Sequence, residues 1–391
     1  MQLESQFFIA IGGILLLGLI TDALGKKTFL PRVTLLLMFG LVIGDSMLGI
    51  IPEVVSAQFE IIADMALLMV GFLIGGKLTV DSLKDSAGQI FWISITTAVV
   101  TAIVVTAVLI AFGVEPGVSI LLGCIASATA PAAIYDVIAE SEIKGPFSEL
   151  LLSIVAIDDA WALLLFAVGV AIVAAMNGAD VSAISSLYMV LREIGGAVLL
   201  GLAIGLPAAY LTGRIRPGQP MLIEALGLVF LCGGLAIMLE VSFLIAAMVL
   251  GAVIANLAKH HDYPFHAIEG IEWPFMVIFF VLAGASLEID ALKELGMLGV
   301  IYILSRITGK YIGSMIGCSV SGTGSQIKRW MGPALLPQAG VAIGMALVAS
   351  EHFPVYAQTL LTIVISSTIF FEIIGPVFTR LALSKVSSKP S

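Results

Sequence analysis

Apolar residues in this chain gather into long runs separated by short polar stretches. A bilayer span needs about 20 mostly apolar residues. That rule predicts thirteen spans, at about 6–24, 31–51, 59–77, 87–113, 116–140, 147–176, 186–213, 219–239, 242–258, 271–287, 296–318, 329–350 and 357–384. With the N-terminus outside, alternate loops face the cytoplasm and hold Lys26, Lys27, Arg32, Lys77, Lys84, Lys144, Arg214, Arg216, Lys259, Lys328, Arg329, Arg380, Lys385 and Lys389. The opposite loops hold only Lys293, while Arg192, Arg306 and Lys310 fall inside spans. This positive-inside bias predicts an outside N-terminus and a cytoplasmic C-terminus.

The thirteen spans divide as six, one linker and six, which would set the second half inverted with respect to the first. A gapless shift of 209 pairs Gly123 with Gly332, Ala130 with Ala339, Ala133 with Ala342, Ile134 with Ile343, Ser141 with Ser350 and Glu142 with Glu351. The same shift brings span 5, with SATAP at 127–131, into correspondence with span 12, with LLPQAG at 335–340. Pro131 removes a backbone donor and disfavours helix at Ala130. Pro337, Gln338 and Gly340 mark the equivalent break in the other span. Paired breaks in corresponding repeats point to a midplane site in secondary transporters.

Composition adds to this picture. Apolar residues make up 60% and charged residues 12% of the 391, against about 25% charged in soluble domains, and the mean hydropathy is +1.13. The N-terminus lacks a basic leader region and a small-residue cleavage site, so it is expected to be a first span. The net charge of -9 comes with no basic cluster longer than two or three residues outside the loops, which argues against nucleic-acid binding. Cys124, Cys232 and Cys318 stand singly in apolar runs and read as packing residues.

The oddity is the pair Asp158 and Asp159 inside LLSIVAIDDAWALLLF. Asp159 lies roughly 18 Å along span 6, near the midplane. Lys310 sits at similar depth in span 11, with Arg306 one turn before it. Charges at that depth are costly unless paired, and read as functional by default. Two adjacent carboxylates in low dielectric cannot both ionise cheaply, so one keeps its proton unless a cation joins it.

Asp158 is therefore assigned to Lys310, and Asp159 to an ion that competes with a proton. The Asp158–Lys310 pair reads either as part of turnover or as a fixed strut between helices. Arg306 is expected to pair with Glu372 in span 13 or to share the carboxylates. Thr129 and Ser127 offer hydroxyl or carbonyl oxygens suited to Na+, or bond their own backbone. Asp136 reads as a solvated helix end or the lining of an entry funnel, and His260 with His261 as loop histidines or a pH sensor.

IDDA at 157–160 after the interrupted SATAP, ITGKYIG at 307–313 and LLPQAGVAIG at 335–344 together resemble the cation/proton antiporter superfamily, and within it sodium/proton antiporters of the NapA and NhaA type. The resemblance implies an all-α polytopic membrane protein of thirteen transmembrane helices. It implies two inverted six-helix repeats joined by a linker helix, with crossed broken helices. Asp159 would match the ion-carrying aspartate, Asp158 its partner and Lys310 the paired lysine.

Residues 1–113 would hold scaffold helices 1–3 and the first core helix, 114–176 core helices 5 and 6, and 177–216 the linker helix. Residues 217–290 would hold scaffold helices 8–10, and 291–391 core helices 11–13 with a short tail. The family implies an elevator motion, a homodimer in the plasma or inner membrane, and the electrogenic exchange of two-aspartate members. No cofactor is implied beyond the transported Na+ or Li+ and protons.

Ala130 stands where some members carry an aspartate, which leaves cation choice open. The alternatives are K+/H+ exchange of the potassium-efflux type, an organic-anion symporter and an ion channel. An appended nucleotide-binding domain of the efflux relatives is not expected before Ser391. An enzyme is not expected, since no nucleophile, metal cluster or phosphate loop stands out.

Overall fold

The computed structural model describes residues 2–25, 27–143, 145–177, 183–212, 221–259, 262–287 and 296–387. His260 and His261, and the basic residues Lys26, Lys144, Arg214, Arg216, Lys293 and Lys389 used to orient the chain, lie outside the described residues. Among the described residues all regular structure is helical. Two compact units form, Met1–Asp85 with Leu191–Leu287 and Ser86–Val190 with Glu288–Ser391.

The first unit contains α1 (Gln2–Gly25), α2 (Arg32–Ile43), the short α3 (Glu53–Ser56) and α4 (Phe59–Lys77). The chain leaves it through α5 (Val80–Ala111) and returns through α9 (Ala183–Thr212) to α10 (Met221–Met238), α11 (Phe243–Leu257) and α12 (Asp262–Ala285). Small residues let these helices touch backbone to backbone. Gly75 of α4 lies against Met248 of α11, Gly251 of α11 against Phe72, and Gly284 of α12 against Leu37 of α2. Without a hydrophobic drive between helices in lipid, such close van der Waals contact is what holds them together. Two boundaries depart most from the predicted spans. Helix α2 stops at Ile43, where Gly44 turns away against Ala285, and α12 begins nine residues before position 271, at Asp262.

The second unit contains α6 (Pro116–Ile125), α7 (Pro131–Ser141), α8 (Pro146–Met176), α13 (Gly296–Val320), α14 (Ser325–Ala334), α15 (Gly340–His352) and α16 (Ala357–Ser387), with most of α5. Predicted spans 5 and 12 are each a pair of short helices. The peptides 126–130 and 335–339 separate the members of each pair. Ala130 is extended, at φ -82° and ψ 105°, as the residue before a proline is pushed to be. Both α6 and α14 run for 10 residues, and their ends differ by the same shift of 209 that relates the sequences.

Eight helices among the described residues are long and apolar enough to cross a membrane, and α2, α6, α11 and α15 are shorter apolar helices. The 25-residue α13 is not among the eight. It carries Arg306 and Lys310 together with a run of glycines at four-residue intervals, and this polarity sets it apart. Those glycines bring it onto α5. A Cβ on Gly309 would stand 2.8 Å from Thr101 Cα, and one on Gly313 2.8 Å from Thr97 Cα. All three cysteines are free and buried.

One contact bears on the break in the second pair. A Cβ on Gly375 of α16 would lie 2.6 Å from Pro337 Cα, whereas one on Gly340 meets nothing within 4 Å. Gly375→Ala should therefore lower stability by about 1–3 kcal/mol through overpacking, while Gly340→Ala should be near neutral. Thermal unfolding of the two purified variants in detergent checks the contrast.

Candidate functional site

The break at 126–130 leaves the carbonyls of its own residues without helical partners, and in a bilayer core no water is at hand to satisfy them. Two cations from α13 take that role. Lys310 Nζ donates to the Ser127 carbonyl at 2.6 Å. Arg306 donates from Nε to the Ala126 carbonyl at 3.0 Å and from Nη2 to the Ala128 carbonyl at 2.7 Å. Its Nη1 reaches across to the Leu336 carbonyl of the second break at 2.8 Å. The two breaks also meet directly, Ala130 N–H donating to the Pro337 carbonyl at 3.0 Å. A helix C-terminus carries partial negative charge, so the charge of both residues suits the end of α6 as well as their donors do.

Lys310 is fully buried and spends its other donors on side chains. It lies 3.2 Å from Asp158 Oδ2 and 2.6 Å from Thr129 Oγ1. The Thr129 hydroxyl in turn donates to the same Asp158 oxygen. The three ammonium protons thus have three acceptors, and Asp158, at 0% exposure, sits in a closed triangle with Lys310 and Thr129. A buried charge is tolerable only when its partners are this complete.

Asp159 stands outside the triangle. It is 5% exposed, and its Oδ1 is buried without a partner. Successive helical residues point about 100° apart, which is how one helix turns Asp158 towards Lys310 and leaves its neighbour free of it. The second oxygen of Asp158, Oδ1, is likewise buried and without a partner.

Other expected site residues are placed differently. The Ser127 hydroxyl donates to the Cys124 carbonyl at 2.6 Å, so only the backbone carbonyl of Ser127 serves the site. The expected Arg306–Glu372 pair does not form. Phe371, not Glu372, faces the guanidinium, with the Arg306 Cζ 4.2 Å from the ring centroid. A helix that presents Phe371 to Arg306 must aim the next residue elsewhere, and the planar fork of arginine matches several carbonyls better than one carboxylate. Asp136 is 1% exposed, and so is not a solvated helix end.

Sequence reasoning missed the backbone role of Arg306. Its signal was there: a buried arginine one turn from the lysine, facing two spans that must each shed helical hydrogen bonds. Pro131 begins α7 and Gly340 begins α15, while Pro337 and Gln338 lie in the second break.

The family model described as sodium/hydrogen exchanger, transmembrane, matches residues 11–385. The chain belongs to the sodium/hydrogen exchanger family. This is a family of cation/proton antiporters rather than enzymes, set in the membrane. The exchanger chain is 22% identical over 351 residues to the ammonium/H+ antiporter subunit AmhT of Alkalihalophilus pseudofirmus, covering 89% of the chain and 85% of that protein. It is 24% identical over 315 residues to cation/H+ antiporter 19 of Arabidopsis thaliana, covering 73% of the chain but only 38% of that longer protein. Its fold is similar to that of the sodium proton antiporter MjNhaP1 of Methanocaldococcus jannaschii, with a TM-score of 0.73 at 19% identity, covering 99% of this chain and 97% of that one. A second structure of MjNhaP1 gives a TM-score of 0.74 at 18% identity, covering 96% and 94%.

In this exchanger, Arg306→Lys keeps the charge but cannot span three carbonyls. Each hydrogen bond from a charged donor is worth about 1.5–3 kcal/mol, so the variant should lose roughly 3 kcal/mol of stability or more. Thermal melting beside the wild type measures it.

Proposed function

We propose that the chain is a secondary active antiporter that exchanges Na+ or Li+ for protons at Asp159. The observation that carries the reading is the division of labour between the two aspartates. Lys310 and Thr129 both occupy Asp158 Oδ2, while Asp159 keeps a buried carboxylate oxygen with no partner. A carboxylate held in that way binds a proton or a small cation but not both at once, and competition for one group suffices for exchange.

The Asp158 oxygen left open and the Thr129 hydroxyl are further oxygen ligands for a cation. Ser127 contributes its carbonyl to Lys310 instead. Electrogenic exchange follows if the Asp158–Lys310 pair takes part in the cycle, and not if it is a strut.

The proposed mechanism is an elevator stroke. All the charged partners of the aspartates and both helix breaks lie in the second unit, so the unit could travel with its charges still neutralised. The proposed thirteen spans count each broken pair as one crossing, and the proposed inverted repeats are supported by the common offset of α6 and α14. The glycines at matching positions agree with that. Gly123 abuts α5 at Ala102 and Thr106, and Gly332 abuts α13 at Tyr311 and Ser314.

The loop charges favour an outside N-terminus, and the plasma or inner membrane is what the family resemblance implies. A homodimer is proposed through the first unit, whose α1 is mostly unburied and exposes Phe8, Ile9 and Leu16.

Potassium remains the second cation to test, because Ala130 supplies no further carboxylate at the break. Ammonium is added because one relative's name specifies it. Proteoliposomes loaded with a pH-sensitive dye and challenged with Na+, Li+, K+ and NH4+ should respond most strongly to Na+ and Li+. Asp159→Asn should abolish the response, and full exchange by that variant would overturn the assignment. Because proton and cation compete, acidification should raise the apparent KM for the cation more than it changes the maximal rate.

Lys310→Gln separates the two readings of the buried pair. Lost exchange in a chain that still folds makes the lysine part of turnover. Retained exchange in a chain that melts lower makes it a strut.

A further inference from the structure

Helix α16 carries one carboxylate that the ion site does not use. Glu372 stands near the middle of its 31 residues, roughly 22 Å from the start, and is the only acidic residue of the helix. Its neighbours along the chain are Ile369, Phe370, Phe371, Ile373 and Ile374. The residue is partly exposed, so a small molecule can reach it. No hydrogen bond or ion pair joins its side chain to a described residue.

The helices packed against α16 are α6, α7, α8, α13, α14 and α15, and their charged side chains do not answer Glu372. Arg306 is spent on carbonyls and faces the ring of Phe371, while Lys310 is spent on Asp158. Glu140 of α7 takes Arg380, two turns further along α16, at 3.4 Å. Asp136, Asp159, Lys328, Arg329, Glu351 and His352 also lie on these helices, and none acts on the Glu372 carboxylate.

The backbone adds to the isolation. Pro376 has no N–H to return to the Glu372 carbonyl one turn before it, so no cationic or donor group is gained from the helix itself. A lone negative charge at this depth is costly, and an ionisable group so placed gives up its charge. A metal ion is a poor remedy. The flanking side chains offer it no oxygen, and it would have to leave its water behind. The offset of 209 sets Leu163 of α8 at the position of Glu372, so the repeat itself asks for no carboxylate here.

We propose that Glu372 is a second proton-binding site, separate from Asp159, whose carboxyl is held in its neutral form inside the bilayer. It takes a proton and not a metal ion, and its occupancy does not depend on which cation the second unit carries.

Dicyclohexylcarbodiimide tests the site on the full chain in detergent, because it reacts with carboxyls that carry a proton in apolar surroundings. The carboxyl proton moves to a nitrogen of the reagent while the carboxylate oxygen adds to its central carbon, and the adduct rearranges to a stable N-acylurea. Peptide mass spectrometry should find the adduct on Glu372 at neutral pH, and a strongly alkaline medium should remove it. The adduct should persist in Asp159→Asn and in excess Na+. A Glu372 peptide free of adduct at every pH sinks the proposal, and so does protection by Na+.

Glu372→Gln gives a reading that does not need the reagent. An unfolded glutamate has lost its proton by neutral pH, so a native state that keeps the proton loses stability as pH rises. The wild type should therefore melt progressively lower from neutral to alkaline pH than the glutamine variant, with the two alike at neutral pH. A variant that melts lower at neutral pH and follows the wild-type pH slope shows an ionised, partnered carboxylate, and overturns the site.

Discussion

A helix broken inside a bilayer exposes carbonyls that no water can reach, and the arrangement of the second unit follows from how these are satisfied. Arg306 and Lys310 of α13 supply the donors. Between them they take the carbonyls of Ala126, Ser127, Ala128 and Leu336. Placing two cations there creates a second need, since buried positive charge itself requires compensation. The end of α6 meets part of it through its dipole, Phe371 part through its ring, and Asp158 the rest. Asp158 is thus committed to Lys310, and Asp159 is the carboxylate left over.

Much of this was readable in the sequence. The breaks were legible because proline has mechanical consequences wherever it sits, and Pro131 with Pro337 mark both of them. Lys310 facing Asp158 was legible from depth alone, because opposite charges at one level of a bilayer have few other places to go.

The role of Arg306 was not. Pairing it with Glu372 assumes that charge seeks charge, whereas the local shortage was of donors for freed backbone, a quantity no charge count displays. Ser127 shows the same blindness from the other side. A hydroxyl attracts attention in a sequence, and here the useful oxygen is the carbonyl that every residue has.

Glycine does the remaining work of placement. The four-residue glycine spacing along α13 lets that helix lie almost on the backbone of α5, and Gly375 does the same for α16 against Pro337. These contacts explain why a helix carrying two buried charges can be held so firmly.

The distances in sequence between the partners have a consequence for how the protein is made. Asp158 and Lys310 are 152 residues apart, and the Ser127 carbonyl and Lys310 are 183 apart. At a synthesis rate of about 5–20 residues per second, the ribosome needs roughly 8–30 seconds after making Asp158 to deliver its lysine. Through that interval the first broken helix is already in the membrane with its carbonyls unanswered and its aspartates without a cation. The nascent chain therefore passes through a stage in which its first broken helix waits on the last third of the sequence for its donors.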